Sequence, residues 1–173
     1  MTKIFFTADW HFGHRNIIRL SQRPFKDIKE HDETIIKNVN EVVNNDDILY
    51  ILGDLGCYKD LDLLRSMLQR INGRKFVIIG NHDSKYNLIQ LVKEKVIEKV
   101  EESKTIQYGK NRIFLAHFPY REWPHFFKGS FMAYGHCHNN LKDYERSTDV
   151  GVDAWNYYPV YIEDFLKHFE KGK

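Results

Sequence analysis

The sequence of 173 residues predicts an α/β sandwich of mixed β-sheets flanked by helices, a four-layer type, with a metal site at the strand C-terminal ends. Two observations predict this fold class. Short apolar segments alternate with amphipathic helical segments in the first half, and the second half is rich in strands. One mixed sheet is the alternative to two packed sheets. We expect residues 1–173 to form a single domain, because the chain is long enough to bury a hydrophobic core.

The first half alternates strands and helices. Short apolar runs that end in polar residues predict strands over 3–7, 47–54 and 75–79. Apolar residues recur at helical spacing over 27–45 and 60–71, where "NG" ends the second helix, and a further helix is expected over 86–95. This alternation is typical of a sheet that carries its helices on the outside.

The second half contains more strands. We predict a strand over 96–100, a hairpin of strands 104–108 and 112–116 joined at "GKN", and further strands over 131–138 and 147–155. A terminal helix is expected over 161–172. The sequence contains no internal repeat and no low-complexity segment.

Composition excludes several classes of protein. The 42% hydrophobic and 29% charged residues are typical of a soluble globular chain, and no apolar run approaches the roughly 20 residues that cross a bilayer. The first ten residues become polar too early for a secretory signal, so we expect them to be structural. Two cysteines, Cys57 and Cys137, build no disulfide framework, which favours the cytoplasm. A net charge of +2 predicts no membrane partner and no long duplex nucleic acid.

Candidate metal ligands follow five of the predicted strands. In open α/β sheets, ligands bind beyond the carboxyl ends of the strands. If each strand continues through its pair of ligands, the two ligands lie on the same face because alternate residues of a strand do so. Trp10 and Cys137, which lie between the paired ligands, would then point to the opposite face and act only as spacers. One tetrahedral ion needs about four ligands, whereas these residues suit two ions with a bridging carboxylate. The candidates are Asp9 and His11, Asp54, Asn81 with His82 beside it, His117, and His136 and His138.

The same residues form five motifs in a fixed order: D-x-H at 9–11, G-D at 53–54, G-N-H-D at 80–83, a lone histidine at 117 and G-H-x-H at 135–138. The series resembles the calcineurin-like metallophosphoesterases. The segments "DWHFGH" and "VGVDAWNYYPV" most resemble the small single-domain members found in bacteria and their viruses. One departure is "GDLGCYKD", where many members carry a charged residue shortly after the G-D pair.

The resemblance implies a role for each motif. It implies a dinuclear site of divalent transition metals, with Mn²⁺ favoured over Fe, Ni, Co or Zn, and hydrolysis of a phosphoester by a metal-bridging hydroxide. His82 would face the substrate without binding metal, and Asp83 would orient its ring. Asp9, His11 and His138 would hold the first ion, Asn81, His117 and His136 the second, and Asp54 would bridge them.

Candidate substrate-binding residues lie beside two of the motifs. His14, with Arg15 and Asn16 nearby, would contact phosphate or simply begin a helix. Tyr120 and Trp123 belong to an aromatic and basic segment, 117–131, which would either stack a base or pack as a small satellite core; packing is the favoured interpretation.

Four other polar residues receive structural interpretations. His31 and His168 are expected on solvated helix faces. Asp149 and Asp153 are expected in turn or surface positions rather than in support of the ligand histidines.

Three functions remain open from the sequence. The first is a phosphoesterase that hydrolyses phosphodiesters or phosphomonoesters of a small or nucleotidic substrate. The second is a nuclease that acts on short single-stranded ends. The third is a non-catalytic interaction protein with the same fold, which the complete set of candidate ligands disfavours. The sequence predicts no oligomeric state.

Overall fold

The computed structural model describes residues 2–57 and 59–170, which form two mixed β-sheets and five α-helices. In the first sheet the four strands β1 to β4 are parallel to their neighbours, and β9 pairs antiparallel with β1 at one edge. The spatial order is β4 (Lys99–Glu101), β3 (Arg74–Ile78), β2 (Ile48–Ile51), β1 (Ile4–Thr7) and β9 (Val160–Tyr161).

The second sheet combines a hairpin with two parallel strands. Strands β5 and β6 pair antiparallel from Ser103↔Ala116 to Tyr108↔Asn111, while β6, β7 and β8 run parallel. Strands β6 and β7 therefore end at the same edge of this sheet. The spatial order is β5 (Ser103–Tyr108), β6 (Asn111–Ala116), β7 (Phe131–Tyr134) and β8 (Ser147–Asp149).

Three of the five helices contribute to a core with the first sheet. The helices are α1 (Asn16–Leu20), α2 (Ile28–Val42), α3 (Leu61–Gln69), α4 (Lys85–Lys93) and α5 (Ile162–His168). Apolar residues of α2, α3 and α4, such as Ile35, Leu68 and Leu91, share one buried cluster with Leu49 of β2. The side chains of Asp27, Asp60 and Ser84 accept a backbone N–H at the starts of these helices, a cap worth about 1 kcal/mol each.

A second core fills the space between the sheets. Phe6 of β1 and Leu115 of β6 belong to it, and α5 closes its edge with Phe165, whose ring lies 5.4 Å from that of Phe6. The other face of the second sheet is covered by segment 117–130, which includes a short 3₁₀-helix, Phe126–Lys128. There Trp123 packs with Tyr134 and others in a small third cluster.

The predicted sandwich of two mixed sheets is confirmed, and the alternative of one mixed sheet is wrong. The strands predicted over 131–138 and 147–155 end earlier, at Tyr134 and Asp149, and the one predicted over 96–100 begins later, at Lys99. Strand β9 and the 3₁₀-helix were not predicted, because two or three residues carry too little periodicity to indicate an element. Among the described residues, no helix has the length and apolar character that crossing a bilayer requires.

Candidate metal centre

The five predicted ligand segments meet where the two sheets adjoin. The loop after β7 contacts the loop after β1, because the backbone N–H of His136 donates to Asp9 Oδ2 at 2.8 Å. The residue after β6 contacts the loop after β3, since His117 Nε2 lies 2.8 Å from Asn81 Oδ1. The parallel direction of β1, β2 and β3 in one sheet, and of β6 and β7 in the other, brings their carboxyl ends together.

The backbone at the ligands is left-handed rather than extended. Asp9 and His11 have φ of 59° and 53°, and His136 and His138 have φ of 70° and 48°. The expectation that each pair shares the face of a continuing strand is therefore wrong. The strands end first, and strained turns then aim both side chains of a pair at one centre, at a cost of roughly 1–3 kcal/mol per residue.

Glycines allow two of these turns to approach closely. A Cβ on Gly53, whose φ is +92°, would lie 2.5 Å from His117 Nδ1, and one on Gly80 would lie 2.3 Å from Asp54 Oδ1. Both distances are far inside van der Waals contact. The glycine before each ligand thus keeps free the space that a neighbouring ligand occupies.

One cluster of donor atoms contains Asp9, His11 and His138. One ligand atom from each lies within 4.8 Å of the others, and the His11 and His138 rings stack with centroids 5.0 Å apart. Asp9 is fully buried, and its Oδ1 has no hydrogen-bond partner. A buried carboxylate oxygen without a donor is costly, and a cation at this position would satisfy it.

A second cluster of donor atoms also contains Asp9 and adds Asp54 and His117. Atoms of Asp9, Asp54 and His117 lie within 4.8 Å of one another. Asp54 Oδ2 lies 3.6 Å from His11 Nε2, and its Oδ1 lies 3.7 Å from His117 Nε2. The Asp54 carboxylate therefore lies between a histidine of the first cluster and a histidine of the second. Asn81 Oδ1 approaches His136 Nδ1 at 3.0 Å, which places the amide and this imidazole beside the second cluster.

Two of the histidines have their tautomers set by acceptors behind them. His117 Nδ1 donates to the Leu52 carbonyl at 2.8 Å, and His138 Nδ1 donates to Asp153 Oδ2 at 2.7 Å. In each ring the Nε2 lone pair is then directed away from that acceptor and can bind a metal.

Behind His138 lies a buried chain of charged and polar groups centred on Arg23. This guanidinium forms a bidentate ion pair with Asp153 at 2.7 and 2.8 Å and donates to the carbonyls of Asp9 and Trp10. It also donates to His31 Nε2 at 2.6 Å, which requires the other nitrogen of His31 to carry the proton donated to Asp32. Arg23 therefore connects the first ligand loop to the acceptor of His138.

Three expectations about supporting residues need correction. His31 is fully buried in the Arg23 chain rather than solvated, because its ring satisfies both partners inside the core. Asp153 holds His138, and the buried Asp149 accepts the backbone N–H groups of Asn139 and Gly151, so neither has a surface role. A sequence pattern that recognises exposed turn residues could not anticipate these long-range partners. His168 is partly exposed, as predicted, and pairs with Asp143.

The electrostatics of the centre favour cation binding. Burial, with the nearby charges of Asp149 and Asp54, raises the pKa of Asp9 well above its usual value. Burial and the adjacent His138 lower the pKa of His11 to about 2, so this imidazole is neutral at pH 7, the form that binds metals. Buried carboxylates that repel one another next to the neutral imidazole of His11 form an environment that a divalent cation would stabilise.

The predicted catalytic and substrate-binding residues lie at different distances from the centre. His82 is exposed at the rim, 5.8 Å from the His11 ring, and His14 is 5.7 Å from the same ring. Arg15 and Asn16 are exposed at the start of α1, one and two residues beyond His14. Tyr120 is exposed and packs beside Phe114.

Trp123 is only 5% exposed and belongs to the third cluster, which agrees with the packing interpretation of segment 117–131 and not with base stacking by this ring. The sequence interpretation missed Phe118, which is 44% exposed and lies 4.6 Å from the His136 ring. Its position directly after the lone His117 is the signal that could have indicated it.

A family model described as calcineurin-like phosphoesterase matches residues 2–171. The chain belongs to this family. The resemblance noted from the sequence is confirmed by this match.

Relatives of this chain occur in an archaeon and in mycobacterial viruses. The uncharacterised protein MJ1445 of Methanocaldococcus jannaschii is 36% identical and covers 100% of this chain and 94% of its own length. The gene 66 protein of Mycobacterium phage L5 is 27% identical over 90% of this chain and 88% of its own length. The solved structure of AQ665 from Aquifex aeolicus, a protein of unknown function, has a TM-score of 0.76 at 23% identity and covers 97% of this chain and 100% of that one.

Within the candidate site, Asp83 has contacts that the resemblance did not predict. Its carboxylate accepts the backbone N–H groups of Asp54, Leu55 and Gly80 at 2.8–2.9 Å. Asp83 therefore holds two ligand-bearing loops together, and its expected role in orienting the His82 ring stays a prediction.

Proposed function

We propose that this member of the family is a dinuclear-metal-dependent phosphoesterase that hydrolyses phosphodiester or phosphomonoester bonds of a small or nucleotidic substrate. The observation that carries the proposal is the buried Asp9 Oδ1, which has no hydrogen-bond partner and lies among imidazoles and a second carboxylate. The proposal treats residues 1–173 as one domain. It includes a cytoplasmic location, which agrees with two free cysteines, Cys57 and Cys137.

The proposed ligand sets combine the two clusters with Asn81 and His136, which lie beside the second cluster. Asp9, His11 and His138 would hold one ion, and Asn81, His117 and His136 the other. Asp54 would bridge, since its two oxygens are directed toward different histidines. Imidazoles mixed with carboxylates and one amide favour Mn, Fe, Co, Ni or Zn over Mg or Ca, and Mn²⁺ is our first choice. The thiols of Cys57 and Cys137 are not included, because burial raises their pKa to about 12 and 11.

The charge balance of the site explains why the substrate would be an anion. Two divalent ions carry four positive charges, of which Asp9 and Asp54 neutralise two. When bound, the ions would polarise the phosphoryl oxygens and lower the pKa of the attacking water from 15.7 to about 7. The remaining positive charge would stabilise the charge that develops on phosphate in the transition state.

The rim histidines would perform the proton chemistry. The backbone N–H of His82 donates to Asp54 Oδ1 at 3.0 Å, which places this residue directly beside the proposed bridge. Its exposed ring would donate a hydrogen bond to a phosphoryl oxygen or a proton to the leaving oxygen. His14, whose ring lies 5.7 Å from that of His11, would contact the phosphate.

We expect His82→Ala to lower turnover of bis-p-nitrophenyl phosphate at least a hundredfold in the Mn²⁺-loaded protein, because general acid–base groups contribute about 10²–10⁴-fold. Elemental analysis should still find the wild-type content of metal, since the ring of His82 is not a proposed ligand. His168→Ala, which removes a partly exposed imidazole on α5, is the matched control and should leave turnover within twofold.

Two outcomes would contradict parts of this proposal. Unchanged turnover in His82→Ala would remove His82 from the mechanism. Failure of the wild-type protein to hydrolyse bis-p-nitrophenyl phosphate or p-nitrophenyl phosphate with Mn, Ni, Zn, Co or Fe would contradict the proposed activity itself.

A further inference from the structure

A basic groove of about 520 Å³ lies on the surface between α1 and the start of α2. Four of its lining side chains are cationic, and two isoleucines provide its apolar part. The lining residues are Arg15, Ile18, Arg19, Lys26, Asp27, Ile28 and Lys29.

The cations of the groove are only partly offset by nearby acids, among them Glu33, which interacts electrostatically with Lys29. None of the four side chains forms an ion pair or a side-chain hydrogen bond within residues 2–57 and 59–170, whereas elsewhere in these ranges Arg65, Arg70 and Arg74 each pair with a glutamate. The acid in the groove, Asp27, accepts the Glu30 N–H at 2.9 Å as the cap of α2, and its carboxylate offsets one of the four formal positive charges of the lining. The groove therefore presents positive charge to a ligand with several negative groups.

The groove is joined to the metal centre by one turn of chain. The backbone N–H of His14 donates to the His11 carbonyl at 3.0 Å, and Arg15 follows immediately, about 3.8 Å further along the chain between Cα atoms. A ligand that extends from the metals past His14 would therefore enter the groove beside Arg15. Phosphates in the groove would belong to the same molecule as the bond being hydrolysed.

An exposed aromatic ring lies on another side of the centre. Phe118 is directed outward beside His136, and base–aromatic stacking contributes about 1–3 kcal/mol per base. The two features together match a ligand in which phosphates alternate with planar bases. The net charge of +2 and the small size of the groove disfavour a long duplex.

We infer that the basic groove binds the phosphates next to the scissile one, and that the substrate class is a short single-stranded oligonucleotide or dinucleotide. This inference rests on the proposed phosphoesterase function and specifies its substrate. Arg15 and Arg19 bind the phosphates from α1, Lys26 and Lys29 bind them from the start of α2, and Ile18 and Ile28 pack against the sugars.

The test compares two double variants of the full Mn²⁺-loaded chain. Arg19→Glu/Lys29→Glu reverses two charges in the groove. Lys93→Glu/Lys110→Glu reverses two exposed charges outside it and produces the same change in net charge. Fluorescence anisotropy measures binding of a labelled five-nucleotide oligothymidylate, and steady-state kinetics compare its hydrolysis with that of bis-p-nitrophenyl phosphate. Circular dichroism checks the fold of each variant.

We expect the groove variant to weaken oligonucleotide binding about tenfold and to reduce the slope of log K against log salt by about 1.4, the value for two lost single-strand phosphate contacts. Its kcat/KM should fall at least tenfold more for the oligonucleotide than for bis-p-nitrophenyl phosphate. The control variant should change that ratio less than twofold.

Equal oligonucleotide binding by the groove and control variants would overturn the inference, whatever the activity. Equal loss of both substrates in the groove variant would also overturn it, because the groove would then not distinguish a nucleotide chain from a small diester. Wild-type turnover of bis-p-nitrophenyl phosphate tests the proposed phosphoesterase function by itself. If the wild-type protein shows no turnover, the anisotropy measurement still tests whether the groove binds the oligonucleotide.

Discussion

At the scale of single residues, the candidate ligands are oriented from behind. Asp153 accepts the Nδ1 proton of His138 on one side and the Arg23 guanidinium on the other. Burial alone would raise the pKa of Asp153, but hydrogen bonds from His138 and Arg23 outweigh burial and lower it. The ionised carboxylate is therefore part of the folded structure, and its loss should affect both stability and the site.

Asp153→Asn should destabilise the metal-free protein by about 3 kcal/mol at pH 7, because the buried Arg23 loses its charged partner. A lowered pKa gives stability that is present above the unfolded value, 3.8, and is lost as pH falls through the folded value. The difference between wild type and variant in urea denaturation should therefore shrink below pH 3.8.

Asp164→Asn is the control for this comparison. It changes an exposed carboxylate that pairs with Lys167 on α5, and exposed pairs contribute only about 0–1 kcal/mol. If Asp153→Asn were no more destabilising than Asp164→Asn at pH 7, the Arg23 chain would not have the structural role described here.

At the scale of elements, β2 and β3 each end in a turn whose glycine makes room for a ligand from another turn. Gly80 follows β3 closely and lies against Asp54, which follows β2. A methyl group does not fit at Gly80, because its Cβ would lie 2.3 Å from Asp54 Oδ1 and 2.5 Å from the backbone nitrogen of Asp54. The loops after β2 and β3 thus depend on each other.

Gly80→Ala should displace Asp54 and Asn81 and lower the affinity for Mn²⁺ at least tenfold, with a decrease in Tm. Gly109→Ala is the matched control, since a Cβ at Gly109 meets no atom within 4 Å, although its φ of +55° makes any side chain slightly unfavourable. Isothermal titration calorimetry measures the Mn²⁺ affinity of the Gly80→Ala and Gly109→Ala variants. Equal metal affinity in both variants would show that the close packing at Gly80 does not position the ligands.

At the scale of the whole molecule, the candidate centre connects the two sheets. Asp9 and Asp54 come from the first sheet, and His117, His136 and His138 follow strands of the second. Ions bound at this junction would contact both sheets at once. Because the unfolded chain cannot gather these ligands, metal binding should stabilise the folded state.

Saturation with Mn²⁺ should raise Tm, since each site at a free metal concentration of 100 times its Kd contributes about 2.7 kcal/mol. Elemental analysis should find two ions per chain, and a chelator should restore the metal-free Tm. Asp9→Asn, which changes the buried carboxylate shared by both clusters, should reduce the shift markedly. A chain that bound at most one ion under excess metal would contradict the dinuclear assignment.

Much of the fold follows from local patterns in the sequence. The apolar spacing over 27–45 predicted α2, observed over Ile28–Val42, because one face of an amphipathic helix has to be buried. Segments 104–108 and 112–116 predicted the β5–β6 hairpin, because alternating residues and a "GKN" turn are local signals. The strand predicted over 131–138 was too long, since local pattern does not reveal the left-handed backbone at His136.

The sequence by itself determined the family and the identity of the candidate ligands, because both depend on residue types in a fixed order along the chain. Only the tertiary structure decided how those residues are held. The Arg23 chain joins positions 130 residues apart, and Trp123 is buried while Phe118 is exposed. The reason is physical: burial and long-range hydrogen bonds depend on which segments pack together, and spacing along one segment carries no information about that packing.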